Sequence, residues 1–247
     1  MIAGVQAVFY REFMMLLRRI GGIGYLFSGL LFPMIYLLAF GWGLGNHVMV
    51  AGGYIAYLAK GMLAITVMMN AFQQTALSVS ASRFYYRTFS ILRLSPIADG
   101  AIVLGIALAG VVRALLAAAV VFGTAKCFFG IAILTGPGSA GLVLTSFLFA
   151  VLGVAVGLSI NGQEQFSIVI NFFITPMTFF CGSFFPVANL PALVQEIVRF
   201  LPLTLANQLL RAEWFMGEAV VAAAVLFIFV IVLYLYSTYR VHNYSEF

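Results

Sequence analysis

Charge is what this sequence has least of. Only 8% of its 247 residues are Asp, Glu, Lys or Arg, against about 25% in an ordinary soluble domain. So few charges cannot cover a water-facing surface, which excludes a soluble enzyme or binding module. Cysteine is equally scarce. Cys127 and Cys181 are the only two, too few for a disulfide-stapled scaffold, and their spacing leaves open whether they are free thiols or a pair. The two histidines, His47 and His242, lie far apart at a span end and in the tail. No Cys/His cluster and no Ser/His/Asp arrangement follows, so neither a metal centre nor a hydrolase site is expected. Lysine occurs twice, as Lys60 and Lys126, and neither completes G-x-x-x-x-G-K-[ST]. The chain therefore lacks a phosphate-cradling loop. It also lacks internal repeats and low-complexity segments.

What is present is apolar. Hydrophobic residues make up 64% and mean hydropathy is +1.13. The hydropathy runs on without a polar break, which implies one membrane domain over residues 1–247. A hydrocarbon core of about 30 Å needs about 20 apolar residues as a helix. Six such spans are expected, at roughly 21–45, 54–80, 98–125, 139–160, 165–185 and 218–239. A β-barrel would alternate over about ten residues, and these runs do not. The first span is too long for a signal-peptide core of about 7–15 residues and has no clear small-x-small site after it.

The net charge of +5 belongs to arginines at span ends and does not imply nucleic acid. Arg11, Arg18, Arg19, Arg83, Arg87, Arg93 and Arg240 fall on one side of the expected topology, and Lys126, Arg199 and Arg211 on the other. By the positive-inside rule both termini are cytoplasmic, in a multi-pass membrane protein.

Two basic stretches stand apart from the spans. In 82–94, "SRFYYRTFSILRL", a helix puts Phe84, Tyr85, Thr88, Phe89, Ile91 and Leu92 on one arc. Arg83, Tyr86, Arg87, Ser90 and Arg93 fall on the other. In 5–19, Val5, Phe9, Tyr10, Phe13, Leu16 and Leu17 oppose Arg11, Glu12, Arg18 and Arg19, with Val8 and Met15 out of place. Both read as helices at the cytoplasmic interface. An anchor to anionic lipid accounts for residues 1–20. Segment 82–97 is longer than a plain connection requires, and Ser95-Pro96 ends it.

"RFYYRTFSILRLSPI" resembles the cytoplasmic coupling segment of ABC-2 type transporter permeases. "GYIAYLAKGMLAITVMMNAFQQTALSVS" is similar to the family's second span. Its fifth span is matched by "FFITPMTFFCGSFFPVANLPALVQEIVRFLPLTLANQLLR", through Pro176, Phe179, Gly182, Phe184, Phe185, Pro186, Leu190, Pro191, Leu201, Pro202 and Thr204. The likeness covers nearly the whole chain and is nearest to exporters of nodulation factors, polysaccharides and drugs. It departs at Lys60, where the family often has Pro, and in the coupling segment, which lacks the acidic residue of many relatives.

The resemblance implies an all-α membrane fold of the type V exporter kind. It would have six transmembrane helices, an interfacial helix at 1–20, a coupling helix at 82–97, and re-entrant outer helices at 186–216 before the last span. It implies a homodimer working with two copies of an ABC ATPase, which bind ATP and Mg; the permease itself has no cofactor. Arg83, Tyr86, Arg87, Ser90, Arg93 and Pro96 would couple to that ATPase, the arginines by polar contacts and the aromatic face by anchoring to the membrane domain. An amphipathic substrate, drug-like, lipid or lipid-linked glycan, would pass along Asn70, Gln73, Gln74, Asn171, Phe172, Thr175 and Phe179. Phe184, Phe185, Pro186 and Pro191 would form an outer gate.

Plainer roles remain open for these residues. Buried amides also hydrogen-bond between helices, and Phe also packs or faces lipid. Arg113, deep in the third span, costs at least about 2.5–3.5 kcal/mol at the bilayer centre. It is expected to pair with an acid, snorkel, or meet anionic cargo. A membrane-embedded lipid-acting enzyme or a channel-like pore is the competing function. Neither of those needs a coupling helix.

Overall fold

The apolar runs fold as helices. The computed structural model describes residues 2–20, 23–44, 50, 52–131, 134–160 and 162–244. Helix α1 (Ile2–Ile20) precedes α2 (Ile23–Leu44), which holds Pro33 at its middle. α3 (Tyr54–Phe84) leads through the six-residue α4 (Phe89–Leu94) to α5 (Asp99–Phe129). α6 (Gly136–Ser159) follows. Then comes a broken rod: α7 (Gln163–Val169), a π-helical turn (Ile170–Ile174) and α8 (Thr175–Phe180). Two short helices, α9 (Ala192–Arg199) and α10 (Pro202–Arg211), precede α11 (Glu218–His242). No strand occurs among the described residues, so the all-helical expectation holds for them.

Four helices, α3, α5, α6 and α11, are long and apolar enough to cross a membrane. The expected spans at 21–45 and 165–185 fall on α2 and on the broken rod. The break in the rod has a local cause. Pro176 has no N–H to close an α-turn, and the turn before it widens so that the Thr175 N–H reaches the Ile170 carbonyl. Widened turns of this kind are often found at functional sites.

At about 1.5 Å per residue, the 31-residue α3 and α5 are each about 46 Å long. That exceeds a hydrocarbon core of about 30 Å, so part of each helix lies beyond it. The tip of the hairpin they form with α4 lies where α1 begins and α11 ends, called the terminal end below. Tyr54, Thr135 and Ala212 mark the far end.

α3 is the hub of the core. Leu58, Met62, Ile65, Met68 and Phe72 along it are all fully buried. α6 reaches it through glycines. A Cβ on Gly153 would lie 2.7 Å from the Phe72 carbonyl oxygen, and one on Gly157 2.9 Å from the Ala76 carbonyl oxygen. Lipid offers no hydrophobic drive for helices to associate, so close backbone packing between small residues supplies the attraction. α11 differs: only 22% of its apolar window is buried, against 72% for α5 and α6.

Two expectations are corrected. The stretch 82–94 is not one helix. Residues 82–84 end α3, the chain reverses, and only 89–94 are helical again. In α1 the face is different from the periodicity reading. Val8 and Glu12, one turn apart, are both buried, while Tyr10 is exposed. The helix packs on α5, and a Cβ on Gly105 of α5 would sit 2.6 Å from the Val8 side chain. A polar residue turned inward is tolerable here because a partner awaits it.

Candidate functional site

At the terminal end the reversal after α3 is held by backbone bonds. The Tyr86 N–H reaches the Ala81 carbonyl and the Thr88 N–H the Ser82 carbonyl, both at 2.9 Å. Arg87 between them takes φ 47°, a left-handed conformation uncommon outside glycine.

Arginines around this reversal turn inward. Arg83 donates to the Gly157 and Ile160 carbonyls, each at 2.8 Å. Arg240 donates to the Leu158 carbonyl at 3.2 Å. These acceptors close α6, where the last carbonyls lack helical partners and the helix dipole is negative. Arg93 donates to the His242 and Tyr244 carbonyls, capping α11 in the same way. Phe89 is buried and meets Tyr244 edge-on at 5.0 Å between ring centroids.

What faces outward is mainly aromatic and aliphatic: Tyr85, Tyr86, Ile91 and Leu94, the last 86% exposed, together with Arg87 and Pro96. Ser90 is half-buried and donates to the Arg87 carbonyl. The sequence-based division of labour is therefore reversed for Arg83 and Arg93. They hold the segment to the membrane domain, and apolar residues are presented. A cation can satisfy a helix end more directly than an aromatic ring can, and α6 and α11 both end here.

A second network fastens α1 to the same tip. Arg113 of α5 is buried; its Nη2 lies 3.6 Å from Glu12 Oε2 and donates to the Glu12 carbonyl at 2.9 Å. Ser78 of α3 donates to Glu12 Oε2 at 2.6 Å. Arg11 approaches Glu12 Oε1 at 3.7 Å and donates to Thr88 Oγ1 at 3.0 Å. Of the fates open to Arg113, pairing with an acid is the one observed. Sequence reasoning did not single out Glu12 as that acid. The signal was there: it is the acidic residue of a segment that docks on the third span.

The expected path residues divide. Asn70 donates to the Thr66 carbonyl at 2.9 Å, and Gln73 to Met69 Sδ at 3.5 Å, each one turn back on α3. Gln74 is half-buried. The three do not bridge to another helix among the described residues. Asn171 and Phe172 are exposed on the π-helical turn, Phe172 at 79%, and Thr175 is half-buried. Phe179 instead stacks on Phe184, centroids 5.4 Å apart. Phe184 also meets Tyr36 and Phe40 of α2 at 5.9 and 5.8 Å. The gate candidates are thus not alike. Phe184 is buried in an aromatic cluster joining α2 to the end of α8, Phe185 and Pro186 are half-buried, and Pro191 is exposed at the start of α9.

At the far end α9 and α10 are the two short helices expected in 186–216. Pro202 opens α10 at its first turn, where its missing N–H is not needed. Arg211 donates to the Gly182 carbonyl at 2.7 Å and lies over the Tyr57 ring at 3.7 Å. The Tyr57 hydroxyl donates to the same carbonyl at 2.6 Å. Burial lowers the Arg211 guanidinium to about 10, with Tyr57 acting against it, so the group stays cationic at neutral pH. Asn207 Nδ2 donates to the Cys181 carbonyl and to Ser183 Oγ, both at 2.9 Å. Gly182 holds φ 77° at the centre of this turn, a conformation that suits glycine. A cavity of 330 Å³ opens between these residues and α9. Cys181 is buried and Cys127 exposed, and both are free thiols.

Comparison with known proteins gives a consistent result. A family model described as "ABC-2 type transporter" matches residues 3–215. Nodulation protein J of Rhizobium leguminosarum bv. viciae is 31% identical over 216 residues, covering 83% of this chain and 82% of that protein. Nodulation protein J of Sinorhizobium fredii (strain NBRC 101917 / NGR234) is 32% identical over 190 residues, 72% and 70% of the two chains. The inner membrane transport permease YadH of Escherichia coli (strain K12) is 26% identical over 172 residues, 68% and 67%.

Proposed function

The chain belongs to the ABC-2 type transporter family, and on that premise we propose that it is the permease subunit of an ATP-driven exporter. It spans the inner membrane six times, with the terminal end in the cytoplasm. Two copies work with two copies of an ABC ATPase, which bind ATP and Mg and perform the hydrolysis. The cargo is amphipathic: a drug-like compound, a lipid or a lipid-linked glycan. The family description and the name of one relative, an inner membrane transport permease, support transport as the role.

One observation carries the coupling part of this reading. The tip at 85–96 exposes Tyr85, Tyr86, Ile91 and Leu94; it is bonded to α1 through Thr88 and to the end of α11 through Arg93, and Arg83 beside it closes the end of α6. An apolar knob at the end of helices longer than the hydrocarbon core suits a groove on a soluble partner, and its ties would pass the partner's movement into α1, α6 and α11 at once. Tyr86, Arg87, Ser90 and Pro96 remain contacts in this reading. Arg83 and Arg93 become the residues that transmit. Arg113, on which an enzyme or pore would depend, is engaged by Glu12.

The test is co-purification with the cognate ABC ATPase in lipid nanodiscs, comparing wild type with Ile91→Glu/Leu94→Glu. Both side chains are exposed, so the melting temperature should hold. Burying each on a partner contributes about 1.5–3 kcal/mol, so retention of the ATPase should fall more than tenfold. Unchanged retention and unchanged ATPase activity would reject the tip as the docking surface.

A further inference from the structure

We propose that the far-end cavity binds an oxyanion that carries a neighbouring hydroxyl, as in a phosphoglycerol or acidic-sugar headgroup. The placement of this cavity on the outer face rests on the topology proposed above; its chemistry does not. The cavity is lined by Arg199, Arg211, Asn207, Gln208 and Tyr57 among others, and by no carboxylate. Two cations facing an open space without an acid are poorly satisfied by protein alone.

Arg211 is held rather than mobile. One Nη is fixed on the Gly182 carbonyl and its plane lies on Tyr57, while its buried Nε has no hydrogen-bond partner. A guanidinium with a fixed plane presents its remaining donors in a set direction, which suits an oxyanion. Arg199, on the exposed end of α9, would close on the anion from the other side.

Asn207 supplies the second feature. It is 2% exposed. Its Nδ2 is committed to the Cys181 carbonyl and Ser183, which fixes the amide orientation. Its Oδ1 is left buried with no partner. A buried acceptor without a donor is unfavourable, and a ligand hydroxyl would satisfy it. Gln208, exposed and without another bond among the described residues, adds a donor at the rim. At 330 Å³ the space exceeds what one water needs and matches the small end of ligand pockets, about 300–1,000 Å³.

Such a headgroup has two sources, an outer-leaflet lipid or a free polar compound leaving the transporter. The experiment uses the full chain in phosphatidylcholine nanodiscs. One arm titrates sn-glycerol 1-phosphate by calorimetry, with glycerol as the neutral control. The other measures retention of phosphatidylglycerol over phosphatidylcholine by native mass spectrometry. Arg199→Gln and Gln208→Leu are exposed positions that leave the fold intact. Saturable glycerol phosphate binding, weakened about tenfold by Arg199→Gln, about 1.4 kcal/mol, supports the site with a free ligand. Selective phosphatidylglycerol retention lost in the same variants, with no free-ligand binding, supports the lipid source. If neither ligand binds, or binding ignores both substitutions, the proposal is overturned. Labelling Gln208→Cys from outside intact cells tests the topology separately. Protection from outside, with binding intact, overturns the orientation and keeps the pocket.

Discussion

The two ends of this molecule use the same residue type for opposite purposes. At the terminal end Arg83, Arg93 and Arg240 close the carbonyls of α6 and α11, and Arg113 is paired with Glu12. At the far end Arg211 and Arg199 border an open cavity. A basic run between apolar spans therefore says where the chain turns, and not whether its charges are offered to a partner. The helix ends nearby decide that. Two helices finish with orphan carbonyls at the terminal end, and cations answer them. At the far end Arg211 meets a single turn carbonyl, at Gly182, and no helix end.

The comparison breaks most sharply at Glu12. Glu12→Ala removes the carboxylate that faces the buried Arg113 and should destabilise the chain by about 3–5 kcal/mol, read as an earlier unfolding transition in mixed micelles. The double variant Glu12→Gln/Arg113→Met should recover most of the loss. If it does not, the pair is not the reason that α1 docks.

A smaller effect is expected at Arg83. Arg83→Ala removes two charge-assisted bonds to the end of α6, about 1.5–3 kcal/mol. Arg87→Ala, four residues on and exposed, should stay within about 0.5 kcal/mol. Equal losses at the two positions in the same unfolding assay would erase the distinction between a capping arginine and an offered one.

A modest effect is also expected at the far end. Tyr57→Phe deletes one hydrogen bond to the Gly182 carbonyl, but Arg211 still donates to that oxygen. The loss should lie near the low end of about 0.5–1.5 kcal/mol, with the ring still under the guanidinium. A loss of several kcal/mol would mean that the hydroxyl, and not the cation, organises this turn.

Much of the fold could be read without coordinates. The long apolar runs appear as α3, α5, α6 and α11 within a few residues. Pro176 marks the break in the rod, and Pro191 and Pro202 start the two short helices. The family likeness was carried by the fifth-span residues, where proline, glycine and aromatics sit at fixed intervals. Less was legible at the tip. A helical wheel over 82–94 presupposes one helix, and the left-handed Arg87 divides it in two. The inward face of α1 was misread for a related reason. Periodicity reports contrast between polar and apolar sides, but in a membrane the apolar side can be lipid and the polar side can be the protein.

Composition and run length alone determined the solvent and the repertoire of elements: about 30 Å of hydrocarbon and a backbone that must satisfy itself leave helices as the answer for runs of this kind. Only the tertiary structure decided which charges are partners. Glu12 and Arg113 are separated by 101 positions, and Arg83 and Gly157 by 74. Such pairings depend on which helix ends and faces meet in space, and no local pattern along the chain records that.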